Sequence, residues 1–376
     1  MKHRYVRTTL AAAACIASAA VLWSQPSATR PTVTIGKDGS VTVQNAVVPL
    51  PGLLSDGGKR VLMRTTPTEG PGAPVPVPTD IADMAEVRRV YNENLKPNVN
   101  HMREVFPVDI EETTIAGISA AIVTPRGGVP EKNRNRLFLN GPGGGFRTGV
   151  RGNGLLISIP IAASLGVTVV TITYRQGPEY RFPAASEDLL KVWDHFTRTY
   201  KPENVGMAGC SAGGSLVTHT TAMLIRQGRP TPGVLGVYCA GLGSAGSGDS
   251  GFMASLSVTN TQPGAPRAGG PSAAGPRVPA GPSYMDGTDR NDFVVNPTVD
   301  ERLLAKWPPT IFFTASRDGA ASGALYSYRK LITLGIDSQV MVFDGLYHGF
   351  MTNPDFPEAR EGYTIAAAFF DRHLGR

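Results

Sequence analysis

Cysteine is scarce in this chain: three residues among 376, at positions 15, 210 and 239. Their spacing matches no zinc or redox motif, which excludes a cysteine-rich metal module or a disulfide scaffold. Histidine is nearly as rare, with six residues, so any search for a general base has few places to look. Aromatic residues make up only 7%, and no basic cluster alternates with them as a nucleic-acid groove would require. Charge of one sign is barely in excess at +6, and half of that comes from Lys2, Arg4 and Arg7. Removing residues 1–28 takes away these three and no acidic residue, leaving +3, which does not argue for nucleic acid, and no nucleic-acid partner is expected.

The apolar run from Leu10 to Trp23 is about 14 residues, short of the ~20 that cross a bilayer. With its basic start and the small residues around Ala17-Ser18-Ala19 and Ser27-Ala28, residues 1–28 read as a cleaved export signal. The product would be periplasmic or secreted, without a stable membrane span. Cys15 lacks the leucine three residues earlier that a lipoprotein site uses. Cys210 and Cys239 then remain, both in segments that read as buried, and are expected to be inert core thiols.

What is present is an alternation of short apolar runs and amphipathic segments. Ile118–Val123, Arg136–Asn140, Val167–Thr173, Val205–Ala208, Leu235–Cys239, Thr310–Thr314 and Gln339–Phe343 read as strands. Ser186–Tyr200, Ala212–Gln227, Ala320–Leu334 and Pro357–Leu374 read as helices. Apolar strands separated by helices predict an α/β fold, a mostly parallel sheet covered on both faces. Upstream, Ile81, Met84, Val87, Tyr91 and Leu95 recur at helical spacing after Thr79 or Asp80. Residues 29–117 are assigned to an arm and cap, residues 118–376 to the catalytic domain. The Gly/Pro-rich stretch 261–282 can bury little and reads as a flexible loop.

Three segments carry chemistry. Gly209-Cys210-Ser211-Ala212-Gly213 joins a strand to a helix, a turn that pushes the serine hydroxyl clear of the sheet; glycines two residues either side avoid clashes. Asn140-Gly-Pro142-Gly143-Gly144-Gly145 follows another strand, and its open backbone suits an oxyanion hole. Acyl transfer passes through an oxyanion, and each well-aimed N–H lowers the barrier by about 3 kcal/mol. Gly143, Gly144 and Ala212 are the expected donors. The loop lacks the Gly-Lys-Ser/Thr ending of a phosphate-binding loop. Among the histidines, only His348 follows the last strand as a loop residue should. Asp318 ends the preceding strand, whereas Asp344, four residues before the histidine, reads as a turn former. The order Ser211, Asp318, His348 is the one used around a strand-to-helix nucleophile turn. Phe146, Arg147, Arg151 and Tyr347 flank these motifs and are candidate substrate contacts, the arginines favouring an anionic or polar ester.

With these residues in place, the chain resembles the hormone-sensitive-lipase-like bacterial carboxylesterases of the α/β-hydrolase fold. The resemblance spans roughly residues 118–374. It rests on the glycine loop, the Gly209–Gly214 elbow, Tyr174-Arg-Gln-Gly-Pro-Glu179 with Phe182-Pro183-Ala, and His348-Gly-Phe. It implies cleavage of short-acyl carboxylic esters without a cofactor or metal, the partner being a small-molecule ester. Two positions depart from the family. Pro142 stands where the family has a histidine, so Asn140 or the proline's rigidity must fix the glycine loop. Cys210 stands where the elbow has an aspartate. Triad chemistry is also shared by carbohydrate deacetylases, lactonases and peptidases, and a non-catalytic binding protein could use the same fold. The sequence leaves the oligomeric state open, a homodimer included.

Overall fold

The computed structural model describes residues 32–37, 41–44, 48–64, 83–243, 248–253 and 283–375. The expected export signal and the 261–282 loop lie outside them. The described residues up to Leu50 fall in one unit and those from Pro51 onward in another. In the first, β1 (Thr32–Ile35) and β2 (Val41–Gln44) pair antiparallel, Val33 opposite Val43.

The second unit opens with α1 (Asp56–Leu62), where the Ser55 side chain accepts the Gly58 N–H, and α2 (Met84–Val105), where Asp83 accepts the Glu86 N–H. Both are ordinary N-caps that satisfy an otherwise unpaired first-turn donor. There follow β3 (Val108–Ile115), β4 (Ile118–Pro125), β5 (Leu137–Gly141), α3 (Arg151–Leu165), β6 (Thr168–Ile172) and α4 (Ala184–Phe196). The chain continues through β7 (Val205–Cys210), α5 (Ala212–Arg226), β8 (Val234–Tyr238), α6 (Ser250–Met253) and α7 (Glu301–Leu304). It closes with β9 (Thr310–Arg317), α8 (Ala321–Thr333), β10 (Ser338–Tyr347) and α9 (Pro357–His373).

Eight strands form one sheet in the order β10-β9-β8-β7-β5-β6-β4-β3. The six from β6 to β10 run parallel, with Leu139 paired to Val170 on one side and Met207 on the other. The β3–β4 hairpin joins antiparallel at one edge. Every residue of β5, β7 and β8 is buried, as strands covered on both faces must be. On one face Phe138, Tyr238 and Phe313 pack with Leu156 and Ile159 of α3 and Phe369 and Phe370 of α9. On the other, Leu139, Met207 and Phe312 pack with Leu189 of α4, Leu216 of α5 and Leu331 of α8.

The expected boundary at 117/118 falls inside the β3–β4 pairing, so the sheet begins at Val108 rather than Ile118. Val99 and Met102 of α2 are buried in the same core as α3 and α9, and α2 is therefore part of the packed unit. Two elements carried no readable pattern. β3 holds Asp109, Glu111 and Glu112 on an edge strand, and α3 is apolar nearly all round, with Pro160 inside it. Among the described residues no helix is long and apolar enough to cross a membrane.

Candidate active site

The site assembles at the C-terminal ends of β5, β7, β9 and β10, where open parallel sheets place their chemistry. Ser211 sits between β7 and α5 with φ 58° and ψ −122°, a conformation L-residues avoid unless the surroundings enforce it. Here they do. The Ser211 N–H donates to the Tyr238 carbonyl at 2.8 Å, and the Ser211 carbonyl accepts the Ser215 N–H at 3.0 Å, opening α5. A Cβ on Gly213 would stand 1.9 Å from the Gly141 carbonyl oxygen, so α5 can approach β5 this closely only through glycine.

The glycine loop lies directly on the elbow. A Cβ on Gly143 would be 2.8 Å from the Cys210 oxygen and 3.6 Å from Ser211 Cβ. The loop turns back on itself as Arg147 N–H and Thr148 N–H both donate to the Gly144 carbonyl, at 3.0 and 2.8 Å. Gly143 is thus brought against the serine that Ala212 follows, while Gly144, the next loop residue, packs against Thr148 and Gly149. The family's loop-fixing histidine has no single substitute. Asn140 Nδ2 reaches the Gly154 carbonyl and Ser158 Oγ, tying β5 to α3 rather than to the loop. The loop itself is held by Tyr174, whose hydroxyl donates to the Pro142 carbonyl at 2.8 Å. Burial pushes this phenol well above its usual range, so it remains a neutral donor.

Asp318 follows β9 and is fully buried. Its Oδ1 lies 2.7 Å from His348 Nδ1 and accepts the Ala320 N–H, while Oδ2 accepts the Thr314 hydroxyl at 2.8 Å. Burial opposes its charge, but the His348 bond and charge, with these two donors, outweigh that and hold it below the usual carboxylate range. Since a carboxylate only accepts, Nδ1 of the neutral ring carries the hydrogen and Nε2 the lone pair. Burial also disfavours a charged imidazole, yet the Asp318 bond and charge, with the nearby Cys210, raise His348 to about 9. Asp344 accepts instead from Ser316 Oγ at 3.4 Å.

The two remaining cysteines are free and buried, but they are not remote core fillers. Cys239, at φ 52°, accepts the Gly349 N–H on its sulfur at 3.1 Å. Its Sγ and ligand atoms of Asp318 and His348 lie within 4.8 Å of one another. Bonding between the two thiols lowers Cys210 and raises Cys239.

Of the expected substrate contacts, Phe146 lines a cleft of about 470 Å³ together with Ser215, His219, Met285 and Arg290. Ser215 is one turn past Ser211 on α5, so this cleft adjoins the elbow. The Phe146 ring stacks on Tyr284 at 4.6 Å and on His219 at 6.2 Å. Burial lowers His219 to about 4, against the opposing bond to the Val295 carbonyl, and keeps it neutral. Arg147, Arg151 and Tyr347 do not line the cleft. Arg151 turns to the Thr171 carbonyl, Ser119 Oγ and Glu112, because a guanidinium this far inside the fold needs partners. Arg147 serves through its backbone, and Tyr347 packs edge-on against Phe356. Tyr174, Thr314, His219 and Tyr284 escaped the sequence reading. Of these only Tyr174, inside a quoted motif, carried a signal.

The family described as alpha/beta hydrolase fold matches residues 142–352. The chain belongs to this family. Among curated alpha/beta hydrolase relatives, it is 30% identical over 127 residues to arylacetamide deacetylase of Oryctolagus cuniculus, covering 32% of each protein. It is 31% identical over 96 residues to ethyl acetate hydrolase of Pseudomonas putida, covering 24% of this chain and 30% of that one. The chain thus spans about a third of the length of these curated relatives. Among solved structures it is similar to esterase E25, with 25% identity and a TM-score of 0.68 over 88% of this chain and 98% of that one. It also superposes on an esterase from the bacterial hormone-sensitive lipase family, with 20% identity and a TM-score of 0.62 over 78% and 92%. At that identity the second likeness speaks for the alpha/beta hydrolase fold alone.

Proposed function

We propose that this protein is an exported serine carboxylesterase that hydrolyses small, short-acyl esters through an acyl-enzyme on Ser211. The observation that carries the reading is the 2.7 Å bond between His348 Nδ1 and buried Asp318, formed at the strand ends beside the strained Ser211 elbow. His348 Nε2 takes the hydroxyl proton as Ser211 Oγ attacks the ester carbonyl. The N–H groups of Gly143, Gly144 and Ala212 receive the negative charge that develops on the carbonyl oxygen. The imidazolium returns its proton to the departing alcohol, leaving the acyl group on Ser211. Water, deprotonated by the same nitrogen, then releases the acid and restores the serine. Asp318 keeps the ring in the accepting tautomer and steadies its charge without becoming protonated.

Short acyl groups are favoured because relatives are named for acetyl removal or ethyl acetate hydrolysis. Export rests on residues 1–28 alone and is checked by N-terminal sequencing of the protein from its own cells. The activity is tested by hydrolysis of p-nitrophenyl esters from acetate to palmitate, with Ser211→Ala in parallel. Rates highest on short chains and lost in the variant support the proposal. Hydrolysis that survives the substitution, or none with any ester, overturns it.

A further inference from the structure

The motif Tyr174–Glu179 resembles a family segment, yet the mechanism above uses only its tyrosine. Glu179 faces Arg88, which comes from α2, far upstream in the chain. Arg88 makes four hydrogen bonds here, through all three of its nitrogens. Nε donates to the Arg147 carbonyl at 2.8 Å, and Nη2 donates to the Gly177 carbonyl at 2.8 Å. Nη1 and Nη2 each reach one Glu179 oxygen at 2.7 Å. The side chain is 20% exposed and Glu179 43% exposed. Arg88 also holds the Glu179 carboxyl below its usual range, chiefly by hydrogen bonding.

The two carbonyls it grips belong to one construction. Arg147 donates its own N–H to Gly144, and Gly177 N–H donates to the Phe146 carbonyl at 2.8 Å. Gln176 brackets Gly149 from the same side, accepting its N–H and donating to its carbonyl. The loop presenting Gly143 and Gly144 therefore ends in a turn whose outer carbonyl is fastened by Arg88, while Glu179 fixes the plane of the fork. An ion pair this exposed adds little on its own. The bonds to the two carbonyls carry the meaning, since a lysine, as a compact point charge, cannot reproduce a fork of fixed geometry.

We infer that Arg88 is a positioning residue for the oxyanion loop, with Glu179 as its orienting partner, so that α2 is a working part of the catalytic apparatus. The inference rests on the esterase reading. Oxyanion donors act on charge present in the transition state and scarcely in the bound ester. Misplacement by about 1 Å costs on the order of 100-fold in rate. Removing Arg88 should therefore lower kcat and leave KM nearly unchanged.

The test compares wild type, Arg88→Ala, Arg88→Lys and Glu179→Gln on p-nitrophenyl acetate, with melting curves for each. The expected result is a kcat roughly 10- to 100-fold lower in Arg88→Ala, a KM within about threefold, and partial recovery of kcat with millimolar guanidinium. Arg88→Lys should stay slow although folded, and Glu179→Gln should lose only a few-fold. A trifluoromethyl ketone, which forms a tetrahedral adduct on the serine, should weaken in parallel with kcat. If Arg88→Lys is folded and keeps wild-type kcat, the inference is overturned. It is equally overturned if kcat and KM change together and guanidinium restores nothing. Failure of the underlying esterase reading looks different, as an inactive wild type or an active Ser211→Ala.

Discussion

Replacing Asp318 by Asn isolates what the carboxylate contributes. The carboxylate raises His348 to about 9, and only the neutral ring can accept the serine proton. A base with that value would be about 1% neutral at pH 7 and about 10% neutral at pH 8. The His348 side chain is 46% exposed, however, so water screens the pair and places the limb somewhat below 9. Wild-type log kcat/KM should therefore rise with unit slope through neutral pH and flatten above about 8. In Asp318→Asn the limb should fall toward the ordinary imidazole value of 6.5, because the hydrogen bond and charge that raise the ring are gone. The plateau should drop about 10⁴-fold, roughly 5 kcal/mol of barrier, since the amide no longer selects the accepting tautomer. The assay is p-nitrophenyl acetate hydrolysis from pH 5 to 10 with both proteins. A limb at the same pH in both would refute the reasoning, whatever happened to the plateau. The pair also couples folding to pH. His348 is raised, so its contribution is whole below the ordinary imidazole range and is lost as pH rises through about 9. Asp318 is lowered, so its contribution is present above the ordinary carboxylate range and fades as pH falls through its lowered value. The Tm difference between the two proteins should be largest between the ordinary carboxylate and imidazole ranges, at about pH 5–6, and should shrink as pH rises toward 10.

Other substitutions probe the frame. Gly213→Ala places a methyl 1.9 Å from a backbone oxygen that cannot step aside, and should cost about 3 kcal/mol or more by urea denaturation. Arg136 is 2% exposed and donates to Asn133, to the Asp371 side chain and to the Leu374 and Gly375 carbonyls. Arg136→Ala strands these acceptors and should lower stability by about 3–5 kcal/mol in the same measurement, with kcat of the remaining folded protein unchanged.

The parts of this molecule legible from sequence were those whose physics is local. Ser211 announced itself because a strand-to-helix turn that tight tolerates only glycine at 209 and 213. The parallel strands announced themselves as apolar runs. Strand β3 did not, since three carboxylates on an edge strand imitate a loop. Helix α3 did not because it is buried on nearly all sides and so lacks a polar stripe. Arg151 was misjudged for a different reason: proximity along the chain to the glycine loop says nothing about where a long side chain finds its partners. Arg88 and Glu179 are 91 residues apart, and only the folded sheet makes them neighbours.

The contact between the glycine loop and the elbow separates two kinds of inheritance. The proposed oxyanion donors are main-chain groups, beside backbone approaches that only glycine permits, whereas the adjoining cleft is built from the side chains of Phe146, His219, Met285 and Arg290. Codon changes at the cleft rewrite its shape without editing the peptide groups that meet the oxyanion. A laboratory library randomised at those four positions, with the glycines held, would explore new esters while sparing the chemistry.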